Sequence, residues 1–186
     1  MIIHDSRLKG RTPLRYNYVM QIDQNTTLRH IIGTVAHYGR IRKLSPLHIL
    51  CHGFEANWDL GGQMSVPAAH GGFGLQLGRN NLTLFNVTQT AAWKNLVDLI
   101  VVFACAPAET LPGNRGTYAD GKRFMGEFAL WTEARVIAAR ETQFYNDASG
   151  RTTIDFGPWE GPVYEFSSTT PDGQVIVDPS GYRVQG

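Results

Sequence analysis

Two residues of the kind that hydrolytic enzymes pair, a histidine and a cysteine, each follow a continuous apolar run in this sequence. His52 comes at the end of PLHILCHG (46–53), and Cys105 at the end of VDLIVVFAC (97–105). Runs that are apolar on both faces predict buried strands of a parallel sheet, and reactive groups in such sheets lie beyond the carboxyl ends of the strands. If the two strands are neighbours, His52 and Cys105 lie side by side at one rim.

This pair of side chains favours nucleophilic catalysis. A cysteine becomes a hydrolytic nucleophile when a histidine takes its proton or holds it as an ion pair. The oxyanion formed on attack needs donors that are already oriented, and the backbone N–H groups of Gly53 and Cys105 are the candidates. Gly53 has no side chain, so a substrate carbonyl can approach the backbone there.

Composition excludes several other functions. The 186 residues fit one domain, and the formal net charge of +1 gives no reason to expect nucleic acid or a membrane surface as partner. No apolar run is long enough to span a bilayer, and the N-terminus lacks the order of a secretory signal, so a cytoplasmic protein is expected.

The cysteine content indicates neither a disulfide nor a metal site. There are only two, Cys51 and Cys105, and a disulfide between them is disfavoured without a secretory context. A zinc site needs at least three protein ligands, and no CxxC or HExxH pattern is present. We therefore expect neither a metal nor an organic cofactor.

Periodicity predicts an alternation of strands and helices. Residues 1–15 are interpreted as an arm or short edge strand, and Gly39 is placed to end the first helix. Several possible N-caps for the first helix lie between Asp23 and Thr27, and Asn86 and Asp120 are the expected N-caps of the second and third helices. The expected strands are 16–22, 47–51, 98–103 and 135–139, with a hairpin over 73–85, helices over 26–38, 87–95 and about four turns after residue 120, and long loops at 54–72 and 106–119.

This order predicts an α/β fold, a three-layer αβα sandwich with a mainly parallel sheet. Residues 1–145 form the expected α/β domain. Beyond them, short alternating runs are broken by Gly-Pro, Pro-Asp-Gly and Pro-Ser-Gly, which predicts a β-rich C-terminal appendage over 146–186 packed on the same domain. Its expected antiparallel strands are 152–156, 162–167 and 174–178.

A His-Gly at the end of one core strand and an Ala-Cys at the end of the next resembles the caspase-like clan of cysteine peptidases. The separation of 53 residues (105 − 52) is similar to the roughly 50 residues of caspases. The context FACAPAET (103–110) lacks the caspase Gln-Ala-Cys-Xaa-Gly and is closer to CHAT domains, a branch related to separase. The resemblance covers about residues 16–145 and implies a cysteine endopeptidase with a His52–Cys105 dyad that acts on protein or peptide substrates.

The resemblance also implies where the residue before the scissile bond is bound. In this clan the pocket is lined by the segment after the strand that follows the cysteine, which here is residues 140–143. Glu141 would select a basic residue, as in separase-like members, whereas Arg140 would select an acidic one, as in caspases. The two alternate in direction on an extended segment, so only one faces the pocket, and we favour Glu141.

Other readings of these residues stay open. The same fold could serve as a non-catalytic protein-interaction module, and a regulatory partner is possible in either case. Cys51 alternates to the face opposite His48, Leu50 and His52, which favours core packing. Trp58 and Asp59 could contact substrate, while His70 is expected to be solvated.

Overall fold

The computed structural model describes residues 1–13, 16–54, 72–146 and 151–184. They form ten strands, two α-helices and two short 3₁₀ helices. The strands are β1 (Ile2–Asp5), β2 (Val19–Ile22), β3 (Leu47–Leu50), β4 (Gly53–Phe54), β5 (Gly74–Leu75), β6 (Leu82–Thr83), β7 (Leu99–Phe103), β8 (Arg135–Ala139), β9 (Val163–Phe166) and β10 (Gln174–Val175). The helices are α1 (Leu28–Ile41), α2 (Gly121–Thr132) and the 3₁₀ helices Val87–Trp93 and Ser180–Tyr182.

The chain is a mixed α/β protein with a mostly parallel central sheet. Seven strands lie in the order β10-β9-β8-β7-β3-β1-β2. The strands from β8 to β2 are parallel, and β9 and β10 add an antiparallel edge. The predicted adjacency of β3 and β7 is confirmed, with Leu47 opposite Ile100 and Leu50 opposite Phe103.

The two faces of this sheet are covered differently. Alternate residues of each strand join two separate cores, as the pleat requires. The helical face packs Val102 and Val136 against buried residues of α1 and α2. The second face packs Val101 and Ile137 against the C-terminal residues, including Phe156. We expected helices on both faces. In the described part of the chain, however, the second face is covered mainly by irregular segments that are rich in aromatic side chains.

Strand β1 corrects the expectation of an N-terminal arm. It lies inside the sheet, between β2 and β3. Ile2 and Ile3 are fully buried, one on each face. His4 and Asp5 made the segment look polar, but both are buried and bonded: the two His4 ring nitrogens contact Thr12 Oγ1 at 2.7 Å and the Leu8 carbonyl at 2.8 Å.

Two helix boundaries follow their predicted caps. Thr27 Oγ1 accepts the His30 N–H at 3.2 Å to begin α1, and Asp120 Oδ1 accepts the Arg123 N–H at 3.2 Å to begin α2. Gly39 does not end α1, which continues to Ile41. A Cβ at Gly39 would lie 2.7 Å from Leu96 Cβ, so this glycine provides room for packing.

The expected helix over 87–95 is a 3₁₀ helix, and Asn86 does not cap it with its side chain. The Asn86 amide instead accepts the Thr83 N–H at 2.9 Å and donates to the Asn81 carbonyl at 3.0 Å. Its side chain therefore stabilises β6 and the turn over 83–86 rather than capping the helix. The hairpin itself is confirmed as β5 and β6, and β4 adds a third strand to it.

In the C-terminal region, the expected strands 162–167 and 174–178 appear as the antiparallel pair β9 and β10. The expected strand 152–156 is wrong. It makes one isolated bridge, between Thr153 and Arg11, and its apolar residues Ile154 and Phe156 pack into the core of the second face. Most of the loop predicted at 54–72 lies outside the described residues.

Candidate active site

The first contact at the predicted rim is between two backbone segments. Gly53 follows β3, Cys105 follows β7, and the two lie directly against each other. A Cβ at Gly53 would lie 2.1 Å from the Cys105 carbonyl oxygen and 3.1 Å from its backbone nitrogen. Only glycine therefore fits at this position, and the reason is space rather than backbone conformation.

Cys105 is half-buried and its thiol is free. Burial raises the pKa of the Cys105 thiol, and a hydrogen bond from the Gly53 backbone N–H opposes that rise. The next residue, Ala106, has a positive φ of 46°, a conformation that L-residues rarely adopt. Strained backbone of this kind clusters at functional sites, where the surrounding structure holds it in place.

The His52 ring is held through one nitrogen. Nε2 lies 3.2 Å from the carbonyl oxygen of Arg7, in the turn after β1. Because a carbonyl oxygen can only accept, Nε2 carries the hydrogen and Nδ1 is left as the proton acceptor. Among the described residues no hydrogen bond joins the His52 ring to Cys105 Sγ, and catalytic bonds of this kind are often long before substrate binds.

Sequence reasoning missed the group that orients His52. The Arg7 carbonyl bonds the ring, and Arg7 in turn is paired with Asp5 at the end of β1. Every residue has a carbonyl, so residue types give no signal for the first interaction. The motif Asp5-Ser6-Arg7, one residue after two buried isoleucines, could have indicated the second.

Segment 140–143 lies next to the cysteine, as the resemblance implies. Thr142 forms an antiparallel bridge with Cys105. The buried side chain of Gln143 ties the segment to residue 160: its Nε2 donates to the Glu160 carbonyl at 2.9 Å and its Oε1 accepts the Glu160 N–H at 3.0 Å.

Arg140 and Glu141 contact different parts of the structure. Glu141 packs over Gly161, where an added Cβ would lie 2.0 Å from Glu141 Cγ. Arg140 instead lines a cavity beside α2 on the helical face.

That cavity has a volume of about 690 Å³, and its lining carries both basic and acidic side chains. Lys122 lies 4.2 Å from the centre of the Tyr164 ring, and Arg123 Nη1 donates to the Gly116 carbonyl at 2.9 Å. Arg115 and Arg140 complete its basic residues, and Asp120, Glu127 and Asp172 are its acidic ones. Of the two candidates for the substrate pocket, Arg140 therefore lines this cavity, and Glu141 does not.

The remaining candidates have simpler roles. Cys51 is fully buried on the helical face, as predicted, and burial raises its thiol pKa well above the usual value. Trp58, Asp59 and His70 lie outside the described residues. In the described ranges no group of three His, Cys, Asp or Glu side chains could hold a metal ion, and no helix there is long and apolar enough to cross a membrane.

Comparisons of the chain with protein-family models, curated proteins and solved structures found no match.

Proposed function

We propose that this protein is a cysteine endopeptidase of the caspase-like, CHAT-related type, with His52 and Cys105 as its dyad. The observation that carries the proposal is the rim itself. The strands that end in His52-Gly53 and in Cys105 are hydrogen-bonded neighbours, and Gly53 is pressed against the Cys105 backbone. This contact supports the proposal because it brings together the backbone segments that carry His52 and Cys105.

In the proposed reaction the Cys105 thiol gives its proton to His52 Nδ1 as Sγ attacks the peptide carbonyl carbon. Collapse of the tetrahedral intermediate breaks the C–N bond, and the imidazolium gives that proton to the leaving amine. Water then attacks the thioester, His52 accepts a proton from it, and the acid product and the free thiol are released. No metal or organic cofactor takes part.

Backbone N–H groups stabilise the oxyanion in this scheme. The Gly53 N–H is the first donor, since it lies beside the cysteine and opposes the rise of the thiol pKa. The Cys105 N–H is the second donor. Glycine at position 53 serves the reaction twice, because its missing side chain also leaves room for the cysteine backbone.

Glu141 is the proposed selectivity residue. It packs over Gly161 in the segment that bridges to Cys105 through Thr142, whereas Arg140 lines the cavity beside α2. A carboxylate there favours a lysine or arginine before the scissile bond. The substrate is accordingly a protein or peptide with a basic residue at that position, in the cytoplasm, where two free cysteines are the ordinary state.

The test is covalent labelling with peptidyl acyloxymethyl ketones that carry Lys or Arg, Asp, or Ala at the first position. We expect labelling of Cys105, fastest with the basic probe. Cys105→Ala should abolish labelling and peptide cleavage, while the matched control Cys51→Ala should keep both, since Cys51 is buried on the other face.

A non-catalytic protein-interaction module is the second candidate. Two observations favour it: the thiol pKa of Cys105 is raised rather than lowered, and the His52 ring bonds the Arg7 carbonyl and not the sulfur. Failure of every probe to label folded protein at pH 7 to 9, with no peptide cleaved, would establish this candidate and remove the peptidase.

A further inference from the structure

A buried carboxylate lies behind the carbonyl that holds His52. Asp5, the last residue of β1, has no exposed surface. Its Oδ1 accepts the Arg7 backbone N–H at 3.1 Å and Arg7 Nε at 2.8 Å. Its Oδ2 accepts Arg7 Nη2 at 2.6 Å and the Gly78 N–H at 2.9 Å. The carboxylate thus uses its full capacity of roughly four acceptor positions.

These bonds fix Arg7 at its backbone and at its guanidinium. The Arg7 amide N–H and guanidinium both donate to the Asp5 carboxylate. The Leu8 N–H donates to the Asp5 carbonyl at 2.9 Å, which closes the turn around Arg7. With the peptide groups on both sides of Arg7 constrained, the direction of its carbonyl is constrained as well. That carbonyl is the acceptor for His52 Nε2.

Gly78, which is hydrogen-bonded to both Asp5 and Arg7, is equally confined. Gly78 donates its N–H to Asp5 and accepts Arg7 Nη2 through its carbonyl at 2.8 Å. It has a positive φ of 63°, and a Cβ there would lie 2.3 Å from the Thr26 carbonyl oxygen. The pair is therefore anchored to the hairpin end and to the turn that precedes α1, and not to one loop alone.

We propose that Asp5 is a positioning residue for His52, acting through the backbone carbonyl of Arg7. The inference rests on the proposed function. Asp5 holds Arg7, the Arg7 carbonyl keeps the hydrogen on Nε2, and Nδ1 is thereby left unprotonated to accept the thiol proton. A dyad with a backbone acceptor behind its base keeps a defined tautomer without placing a second negative charge beside the imidazole.

The test combines kinetics with a measurement that does not need catalysis. Asp5→Asn keeps the shape of the side chain but loses the charge that binds the Arg7 fork. We expect kcat on the basic peptide to fall about 10-fold with KM unchanged. In ¹H–¹⁵N spectra of the imidazole groups, the His52 Nε2–H tautomer should dominate in the parent protein and give way to a mixture in the variant.

Arg7→Lys is the second variant, since it keeps the charge but cannot bind both carboxylate oxygens and Gly78 at once. We expect a smaller change of the same kind in both readouts. Glu165→Gln is the matched control, because it breaks the exposed Arg135–Glu165 pair, 3.2 Å long, between β8 and β9. It should change neither kcat nor the tautomer.

The outcomes separate this inference from the proposed function. An unaltered His52 tautomer and unaltered kcat in folded Asp5→Asn protein would overturn the positioning role while leaving the peptidase intact. If the parent protein cleaves and labels nothing, the peptidase is lost, and the tautomer measurement alone decides whether Asp5 positions His52. If Asp5→Asn does not fold, Arg7→Lys decides the outcome by the same two readouts.

Discussion

Two histidines belong to the same face of strand β3, one at its middle and one just past its end, and they behave differently. His48 is 4% exposed, and its Nδ1 has no hydrogen-bond partner among the described residues. Burial together with the nearby N-terminal ammonium lowers its pKa to about 4. His52 is half-buried and its ring is bonded to the Arg7 carbonyl. The carboxyl end of a strand can orient and use an imidazole, whereas the middle can only bury it.

The surroundings of each ring explain this contrast. His48 lies between aromatic rings, with the Tyr16 ring centre at 5.1 Å and the Phe103 ring centre at 6.2 Å. Apolar ring faces do not stabilise a charged imidazolium, so the His48 ring is neutral at pH 7. His52 lies where three chain segments meet, those of β1, β3 and β7, and one of them supplies an acceptor.

The largest expected effect separates the two histidines by function. His52→Gln should lower kcat/KM for the basic peptide about 10³-fold, because it removes the general base. His48→Phe should leave kcat/KM unchanged, since that ring contacts no reacting group. An equal loss of activity in both variants would contradict the contrast between the middle and the end of the strand.

The next effect tests the close contact at the end of the strand. Gly53→Ala places a methyl group against the Cys105 carbonyl and displaces an oxyanion donor, so kcat/KM should fall about 10²-fold. Its matched control is Gly33→Ala, on the exposed side of α1, where an added Cβ meets nothing within 4 Å. The control should keep full activity and stabilise the fold by up to about 1 kcal/mol in urea unfolding. Full activity in Gly53→Ala would show that the rim is not a catalytic site.

His48, in the middle of β3, should make the free energy of unfolding depend on pH. His48 binds a proton in the unfolded chain below pH 6.5 but in the folded chain only near pH 4. The contribution of neutral His48 to the free energy of unfolding is therefore complete above pH 6.5. It is lost as the pH falls toward 4, by about 3 kcal/mol for a pKa shift of this size. Urea unfolding of the parent protein and of His48→Phe across this range measures it as the difference between the two pH slopes. Parallel slopes would mean that His48 is not the buried group responsible.

The smallest effect is expected beyond the strand ends, at the two residues that turn to different surfaces. Glu141→Gln should reduce the preference for a basic over a neutral first residue about 10-fold, since one charged hydrogen bond is lost. Arg140→Gln should leave that preference as it is, because Arg140 faces the cavity beside α2. Competition between Arg, Gln and Asp peptides gives the ratios, and the opposite ranking of the variants would exchange the two roles.

The sequence alone predicted the parts that repeat a simple pattern. Continuous apolar runs predicted β3, β7 and β8, helical spacing with Thr27 and Asp120 predicted both α-helices, and the neighbouring strands brought His52 and Cys105 to one rim. The pleat placed Cys51 in the core on the opposite face. In these places local periodicity and tertiary burial agree, so that the pattern carries the information.

Tertiary structure decided what residue types cannot express. Four residues with two polar members became the interior strand β1 because Asp5 and His4 found buried partners far along the chain or across a turn. In the described part of the chain the second face is covered mainly by irregular segments, whose apolar residues such as Phe156 fill it. His52 is oriented by a backbone carbonyl, a group that any residue at position 7 would supply. A backbone group leaves no trace in the sequence, and only the fold shows where it points.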